Sequence, residues 1–168
     1  MTKCFSIIIP CYNEIDNIKP LCEEILLVLK NMKDYKYELI VIDDGSSDET
    51  AEILKKLEKN ELINVLYHKT NLGQSYSILN GINHSQFESI ITLDGDGQND
   101  PANIPDLIKI FFSDNNYALV SGIRTDRKDG FIKKNTSRIA NKVRSMILKD
   151  GCPDTGCSLK IFSKNIFL

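Results

Sequence analysis

The sequence lacks several features that mark common protein classes. Two histidines, and five cysteines without a CxxC pair, argue against a zinc site. The thiols are expected to stay reduced and to act as small apolar side chains. No apolar run approaches the ~20 residues that a membrane-spanning helix needs, so no transmembrane segment is expected in this chain. Neither a GxGxxG dinucleotide fingerprint nor a GxxxxGK[ST] phosphate loop occurs.

The length and the charge distribution favour a single domain with a polarised surface. At 168 residues, without a repeat or a linker, the chain is expected to form one domain. The formal net charge is only -2, but residues 124–149 hold nine Lys and Arg against two acids. The rest of the chain is therefore strongly acidic. Such a separation suits a site that binds a metal ion and phosphates together, and no nucleic-acid partner is expected.

Strand-like and helix-like patterns alternate along the chain. Continuous β-branched runs predict buried strands, and apolar residues at helical spacing predict the helices between them. The predicted strands are 5–10, 38–43, 63–68, 89–94 and 117–123, and the predicted helices are 18–29, 46–57, 75–83, 105–112 and 135–149. This order predicts an α/β fold with a mostly parallel sheet and helices on both faces.

Polar clusters follow four of the predicted strands. They are Tyr12-Asn13-Glu14, Asp43-Asp44-Gly45-Ser46, Asp94-Gly95-Asp96 and Gly122-Ile123-Arg124. In open parallel sheets, ligands bind beyond the carboxyl ends of the strands. The four clusters therefore predict one binding site at that edge.

The segment 93–100, LDGDGQND, gathers three carboxylates directly after a predicted strand. An EF-hand loop starting at Asp94 requires Gly and Glu where Asn99 and Pro105 stand, so that site is excluded. Phosphatases with a nucleophilic Asp share DxDG, but Thr or Val usually follows there, and Gln98 follows here. Taken alone, DGDG is more often a solvated turn than a site; the neighbouring clusters favour a metal site. Asp100 is expected to be a turn residue beside the next helix.

Five short motifs, in this order, resemble family 2 glycosyltransferases of the GT-A fold. They are PCYNE (10–14), DDGSSD (43–48), NLG (71–73), LDGDGQ (93–98) and DTGCSLK (154–160). The PxYNE and DxDxQ variants are most similar to the polyprenyl-phosphate, dolichol-phosphate mannose synthase-like branch. The resemblance covers essentially the whole chain. It implies an inverting, metal-dependent transfer of a sugar from a nucleotide-diphospho-sugar to a polyprenyl phosphate.

The resemblance also implies the residues of the donor site. Asp94, Asp96 and Gln98 are expected to hold Mg²⁺ or Mn²⁺, with Asp94 and Gln98 also near the nucleotide-sugar. Carboxylates suit these hard cations, and Gly95 and Gly97 let a phosphate approach the backbone. The expected nucleotide-binding residues are Pro10, Tyr12, Asn13, Glu14, Asp43 and Asp44, with Asn71 and Gly73 at the border of the pocket.

On the acceptor side, Asp154 in DTG is the expected general base. Arg124 is expected to contact a phosphate, and Arg127 and Arg138 to bind the acceptor phosphate, because guanidinium groups grip phosphate bidentately. The basic helix 135–149 either packs on the sheet or lies at a membrane surface. The two histidines receive no role.

These expectations describe a UDP- or GDP-sugar transferase with a lipid-phosphate acceptor. The protein is expected to be cytoplasmic, with a peripheral position at the cytosolic membrane face left open. Two alternatives remain: a family 2 enzyme with a glycan or protein acceptor, and a non-catalytic nucleotide-sugar-binding module. Because relatives of this kind continue further, the chain is expected to lack the C-terminal part of its domain. The base, the sugar and a homo-oligomeric state are not specified.

Overall fold

A computed structural model describes residues 3–113, 117–123 and 156–166 of the chain. Its strands are β1 (Lys3–Cys11), β2 (Tyr35–Asp43), β3 (Ile63–Tyr67), β4 (Ser89–Thr92), β5 (Leu119–Ser121) and β6 (Lys160–Ser163). They form one sheet in the order β3-β2-β1-β4-β6-β5. The strands from β1 to β4 pair in parallel, whereas β6 runs antiparallel to both of its neighbours. The prediction of a mostly parallel sheet is confirmed.

In the described ranges, four α-helices connect these strands. They are α1 (Ile18–Leu29), α2 (Thr50–Leu57), α3 (Gln74–His84) and α4 (Ile104–Phe111). Helices α1, α2 and α4 share one core with the face of β1 that carries Ile7 and Ile9. Helix α3 packs on the opposite face, where its residue Ile82 shares a second core with Ile8. Helices on both faces are therefore confirmed, and the alternation of side chains along β1 explains why its whole apolar run is buried.

Each predicted strand is present in the structure, but several bounds differ: β2 begins at Tyr35 and not at residue 38. Strand β4 ends at Thr92, so Asp94 lies in a loop, and β5 is shorter than predicted. Strand β6 was not predicted at all. The predicted helix 135–149 lies outside the described residues. Within the described ranges, no helix combines the length and the apolar character that crossing a membrane requires.

Candidate functional site

The carboxyl ends of β1, β2 and β4 meet at one edge of the sheet. After β4, Gly95 approaches β1 so closely that an added Cβ would lie 2.9 Å from both the Cβ of Cys11 and the carbonyl oxygen of Pro10. After β2, the main-chain N–H of Asp44 donates to the carbonyl of Cys11 (2.9 Å). The predicted polar clusters after these three strands are therefore neighbours in space, as the topology of a parallel sheet requires.

Asn13 joins the loop after β1 to the loop after β2. It has a left-handed backbone conformation, with φ of 57°. Its main-chain N–H donates to the hydroxyl of Ser46 (2.9 Å), and its side-chain carbonyl accepts from the N–H of Ser47 (2.8 Å). This predicted nucleotide-binding residue thus holds the two loops together.

The other residues of the PCYNE motif differ in accessibility. Pro10 lies inside β1 and is buried, whereas Tyr12 is 44% exposed. The N–H of Glu14 donates to the hydroxyl of Thr50 (2.9 Å), and its carboxylate accepts from the amide of Asn17 (2.7 Å). Tyr12 therefore presents an accessible ring at this edge, and Glu14 ties the loop to the first turn of α2.

Asp43 ends β2 and is 3% exposed. Its carboxylate accepts from the N–H of Ser46 (3.0 Å). Burial, followed by the charge of Asp43, raises the pKa of the Cys11 thiol well above its usual value. The thiol stays protonated and donates to the carbonyl of Ile42 (3.4 Å). Cys11 therefore behaves as the small buried group that the composition predicted, and not as a nucleophile.

Asp44, also 3% exposed, anchors the loop that precedes α3. Its carboxylate accepts from the N–H groups of Leu72 (2.9 Å) and Gly73 (2.8 Å) and contacts Nδ1 of His68 (2.8 Å). Burial alone would raise the pKa of this carboxyl, but the hydrogen bonds from His68, Leu72 and Gly73 outweigh it and lower the pKa. Asp44 is thus held ionised by the chain itself.

His68 is a member of this cluster to which the sequence assigned no role. Its side chain is only 7% exposed, with Nε2 lying 2.8 Å from the side-chain nitrogen of Asn80 in α3. Its ring meets the ring of Tyr76 edge-on, with 5.5 Å between centroids. Its position in the sequence could have identified it as a site residue, because His68 directly follows β3 at the edge where the other polar residues lie.

Of the two residues of the NLG motif that were expected to border the pocket, Asn71 is exposed and Gly73 is half-buried. Gly73 has φ of 91°, and an added Cβ would meet no atom within 4 Å. The left-handed backbone, and not crowding, is thus what calls for glycine at this position.

We expect Gly45→Ala to destabilise the fold far more than Gly97→Ala. The two glycines have similar φ values, 72° and 70°, so both replacements incur about 1 kcal/mol of backbone strain. At Gly45 an added Cβ would also lie 2.5 Å from the carbonyl carbon of Thr70, whereas at Gly97 it meets nothing within 4 Å. Urea denaturation should show a loss of about 3 kcal/mol or more for the first variant. Equal losses would mean that the loop after β3 does not pack on Gly45.

Asp94 and Asp96 lie partly exposed in the loop after β4. Asp94 accepts from the side-chain amide of Gln74 (2.5 Å), and Asp96 accepts from the N–H of Gln98 (3.0 Å). Gln98 itself is exposed. Gln74, the first residue of α3, was not among the predicted site residues, although it directly follows the NLG motif.

Asp100 caps the next turn by accepting from the N–H of Ala102 (2.8 Å), which confirms its predicted turn role.

The donor set of this loop fits a hard divalent cation. Among the described residues, no group of three or more His, Cys, Asp and Glu side chains is placed to hold a metal ion. Mg²⁺ commonly uses one or two protein carboxylates and completes its shell with waters and substrate phosphates. Asp94 and Asp96, two residues apart on an accessible loop, meet that requirement if a ligand phosphate supplies further oxygens.

The described part of the DTGCSLK motif packs on the same loop. The hydroxyl of Thr92 donates to the carbonyl of Ser158 (2.8 Å), and the amide of Asn99 donates to the hydroxyl of Ser158 (2.6 Å). The N–H of Gly122, after β5, donates to the carbonyl of Leu159 (2.9 Å). The fifth motif and the end of β5 are therefore adjacent. The four predicted acceptor-side residues fall outside the described ranges: Asp154, Arg124, Arg127 and Arg138.

Comparison with known sequences gives a match over nearly the whole chain. Residues 6–168 match the family described as Glycosyl transferase family 2. An undecaprenyl-phosphate 4-deoxy-4-formamido-L-arabinose transferase from Photorhabdus laumondii subsp. laumondii is 36% identical over 167 residues, which are 98% of this chain and 50% of that protein. The chain spans about half the length of the curated relatives it matches.

Solved structures share the architecture at low identity. The mannosyltransferase PcManGT from Pyrobaculum calidifontis, in complex with GDP-Man and Mn²⁺, has a TM-score of 0.71 and 18% identity, covering 97% of this chain and 45% of its own. A Mycobacterium tuberculosis glucosyl-3-phosphoglycerate synthase with Mn²⁺, UDP-glucose and phosphoglyceric acid has a TM-score of 0.73 and 17% identity, covering 98% and 58%. These neighbours confirm the predicted GT-A fold. From the sequence match and the shared fold, the chain belongs to glycosyl transferase family 2.

Proposed function

We propose that this chain carries the donor site of an inverting, metal-dependent glycosyltransferase that moves a sugar from a nucleotide-diphospho-sugar to a polyprenyl phosphate. The observation that carries the proposal is the meeting of three loops at one sheet edge. These loops carry the accessible carboxylates Asp94 and Asp96, the buried carboxylate Asp43 and the exposed ring of Tyr12. In such a site, Asp94 and Asp96 can bind a diphosphate through a cation, and Asp43 and Tyr12 can bind a nucleoside.

In this proposal, Asp94 and Asp96 hold Mg²⁺ or Mn²⁺, with Gln98 contributing an amide oxygen. When bound, the cation supplies the positive charge that stabilises the departing nucleoside diphosphate. Asp43 accepts hydrogen bonds from the nucleoside, and Tyr12 covers an apolar face of the base. The metal and the nucleotide-sugars in the two solved neighbours support this class of donor, UDP- or GDP-sugars included.

Pro10, Asn13 and Glu14 shape the nucleoside pocket, because they fix the course of the loop that carries Tyr12. Asp44 acts through the Asn71–Gly73 loop, whose backbone it holds. These residues need not touch the donor in order to set its position. Their contribution is to keep the loops around the donor in one arrangement before it binds.

On the acceptor side, Arg124 contacts a phosphate, and Arg127 and Arg138 bind the acceptor phosphate. Asp154 faces the acceptor; because a phosphate acceptor is already anionic, Asp154 positions it more than it deprotonates it. The undecaprenyl-phosphate relative supports a lipid acceptor. With such an acceptor the chain works at a membrane surface, for which we propose the cytosolic face. The segment after β5 would then hold the lipid phosphate.

The test is a transfer assay with the full chain, Mn²⁺ or Mg²⁺, and labelled UDP- and GDP-sugars. One arm offers vesicles that contain undecaprenyl phosphate, and the other offers a soluble oligosaccharide. We expect label in the extracted lipid, only with undecaprenyl phosphate and only with metal. Label in the oligosaccharide would instead indicate a glycan acceptor. Metal-dependent nucleotide binding without turnover on either acceptor would indicate a binding module.

A further inference from the structure

A series of polar contacts runs from the middle of α3, through the residues that follow β3 and β2, to the loop that precedes α3. Asn80 in α3 contacts Nε2 of His68, and Nδ1 of His68 contacts Asp44. Asp44 in turn accepts from the N–H groups of Leu72 and Gly73. All the distances in this series are 2.8 or 2.9 Å.

A further contact joins this series to the loop that carries the DxD carboxylates. Gly73 precedes Gln74, and the side-chain amide of Gln74 donates to Asp94 (2.5 Å). A shift of the backbone at Gly73 therefore moves the group that orients Asp94. The backbone of Gly73 is held at both of its polar groups: its N–H donates to Asp44 (2.8 Å), and its carbonyl accepts from the N–H of Ser77 in α3 (3.1 Å).

The burial of the series indicates that it has a role in specifying geometry. The side chains of Asp44 and His68 are 4% and 7% exposed, so removing them from water is costly unless their polar atoms are paired. Here both ring nitrogens of His68 and both oxygens of Asp44 have partners. Fully paired buried networks favour one arrangement over its alternatives, which apolar packing of the same volume does less well.

We propose that His68 is a positioning residue of the donor site. It fixes Asp44, which holds the main chain at Leu72 and Gly73 and so places Gln74 against Asp94. The last step, from Gln74 to Asp94, rests on the proposed function, because the orientation of Asp94 affects binding only if a donor and a metal ion bind there. The earlier links concern the unliganded chain alone.

Two substitutions separate the hydrogen bond from the volume of the ring. In His68→Asn the side-chain amide stands where Nδ1 was, so a donor to Asp44 remains. In His68→Leu a side chain of similar size has no donor. His84→Ala is the control, because this exposed histidine lies on α3 and hydrogen-bonds to a main-chain carbonyl, that of Asn80 (2.8 Å). If His68→Leu does not fold, His68→Gln replaces it, since its amide reaches the Nε2 position and leaves Asp44 without that donor.

The first measurement is amide hydrogen exchange in the unliganded chain. We expect the N–H groups of Leu72 and Gly73 to exchange about tenfold faster or more in His68→Leu, as the loss of a hydrogen bond to a charged group predicts. In His68→Asn and His84→Ala they should exchange as in the wild type. Unchanged exchange in His68→Leu would overturn the proposal, whatever the chain binds.

The second measurement is calorimetric binding of whichever of UDP, GDP, dTDP and CDP the wild type binds best with Mn²⁺. We expect the Kd to rise about tenfold in His68→Leu and less than about threefold in His68→Asn, with melting temperatures recorded for each. Equally weak binding in both variants would assign His68 to packing and overturn the proposal. A wild type without metal-dependent binding would overturn the proposed function, while the exchange measurement would still decide the link from His68 to Asp44.

Discussion

Asp96→Asn should remove the thermal stabilisation that Mn²⁺ and a nucleotide-sugar together give the wild-type chain. A ligand at about 100 times its Kd adds roughly 2.7 kcal/mol to the free energy of unfolding. For a domain of this size, that corresponds to a rise in Tm of about 5–10 °C. Asp96 supplies one of two carboxylates for the cation, and an amide there removes its charge. The bound diphosphate then loses the cation that offsets its own charge.

The measurement is a thermal-shift panel of UDP-, GDP-, dTDP- and CDP-sugars with Mn²⁺, with Mg²⁺ and with a chelator. Asp100→Asn is the matched control, because it makes the same change in the same loop at a residue that caps the next turn. Asparagine also caps such turns, so this variant should keep the full shift. If Asp96→Asn keeps the wild-type shift, or the chelator leaves that shift intact, Asp96 is not a metal ligand.

Asp154→Asn should lower sugar transfer by about 10²-fold or more while leaving nucleotide binding unchanged. General bases typically contribute about 10²- to 10⁴-fold. The lower end is expected here, because Asp154 mainly positions a phosphate acceptor that is already anionic. The described residues that follow Asp154 in the chain pack on the DxD loop. Ser158 accepts hydrogen bonds from Thr92 and Asn99, on either side of the DxD carboxylates.

Transfer to undecaprenyl phosphate and calorimetric nucleotide binding should be measured on the same preparation. The control is Asp106→Asn, which removes one carboxylate from an exposed position in the first turn of α4. It should leave both measurements as in the wild type. Unchanged transfer in Asp154→Asn would remove this residue from the mechanism, and weakened nucleotide binding would move it to the donor side.

Strands β1, β2 and β4 could be predicted because parallel strands buried on both faces need continuous apolar runs. The ELIVID run (38–43) is an example, and it lies wholly within β2. Strand β6 escaped prediction because its four residues, KIFS, include only two apolar side chains. It owes its place to pairing with β4 and β5, which local sequence does not encode. Tertiary pairing thus decided what propensity left open.

The parts of the site that depend on sheet topology could be predicted from the sequence. The contacts between side chains far apart in the sequence could not. The meeting of the DDG and DGD segments follows from the shared edge of parallel strands. The contacts of His68 with Asp44 and of Gln74 with Asp94 join residues 24 and 20 positions apart, and no motif marks either pair. The different roles of the neighbouring residues Asp43 and Asp44 could not be predicted from the sequence either. Asp43 ends a strand, whereas Asp44 points to the loop before α3.

The position of β6, antiparallel between β4 and β5, affects which parts of such a chain can vary during evolution. Among the strands that the structure describes, β1 to β4 are complete by residue 92, whereas β5 pairs only with β6, which begins at residue 160. Lengthening or rewriting the connection between β5 and β6 leaves every pairing among the first four strands intact. Long connections are thermodynamically cheap to extend. The segment between β5 and β6 can therefore change in length and sequence during evolution while the pairings of β1 to β4 stay the same.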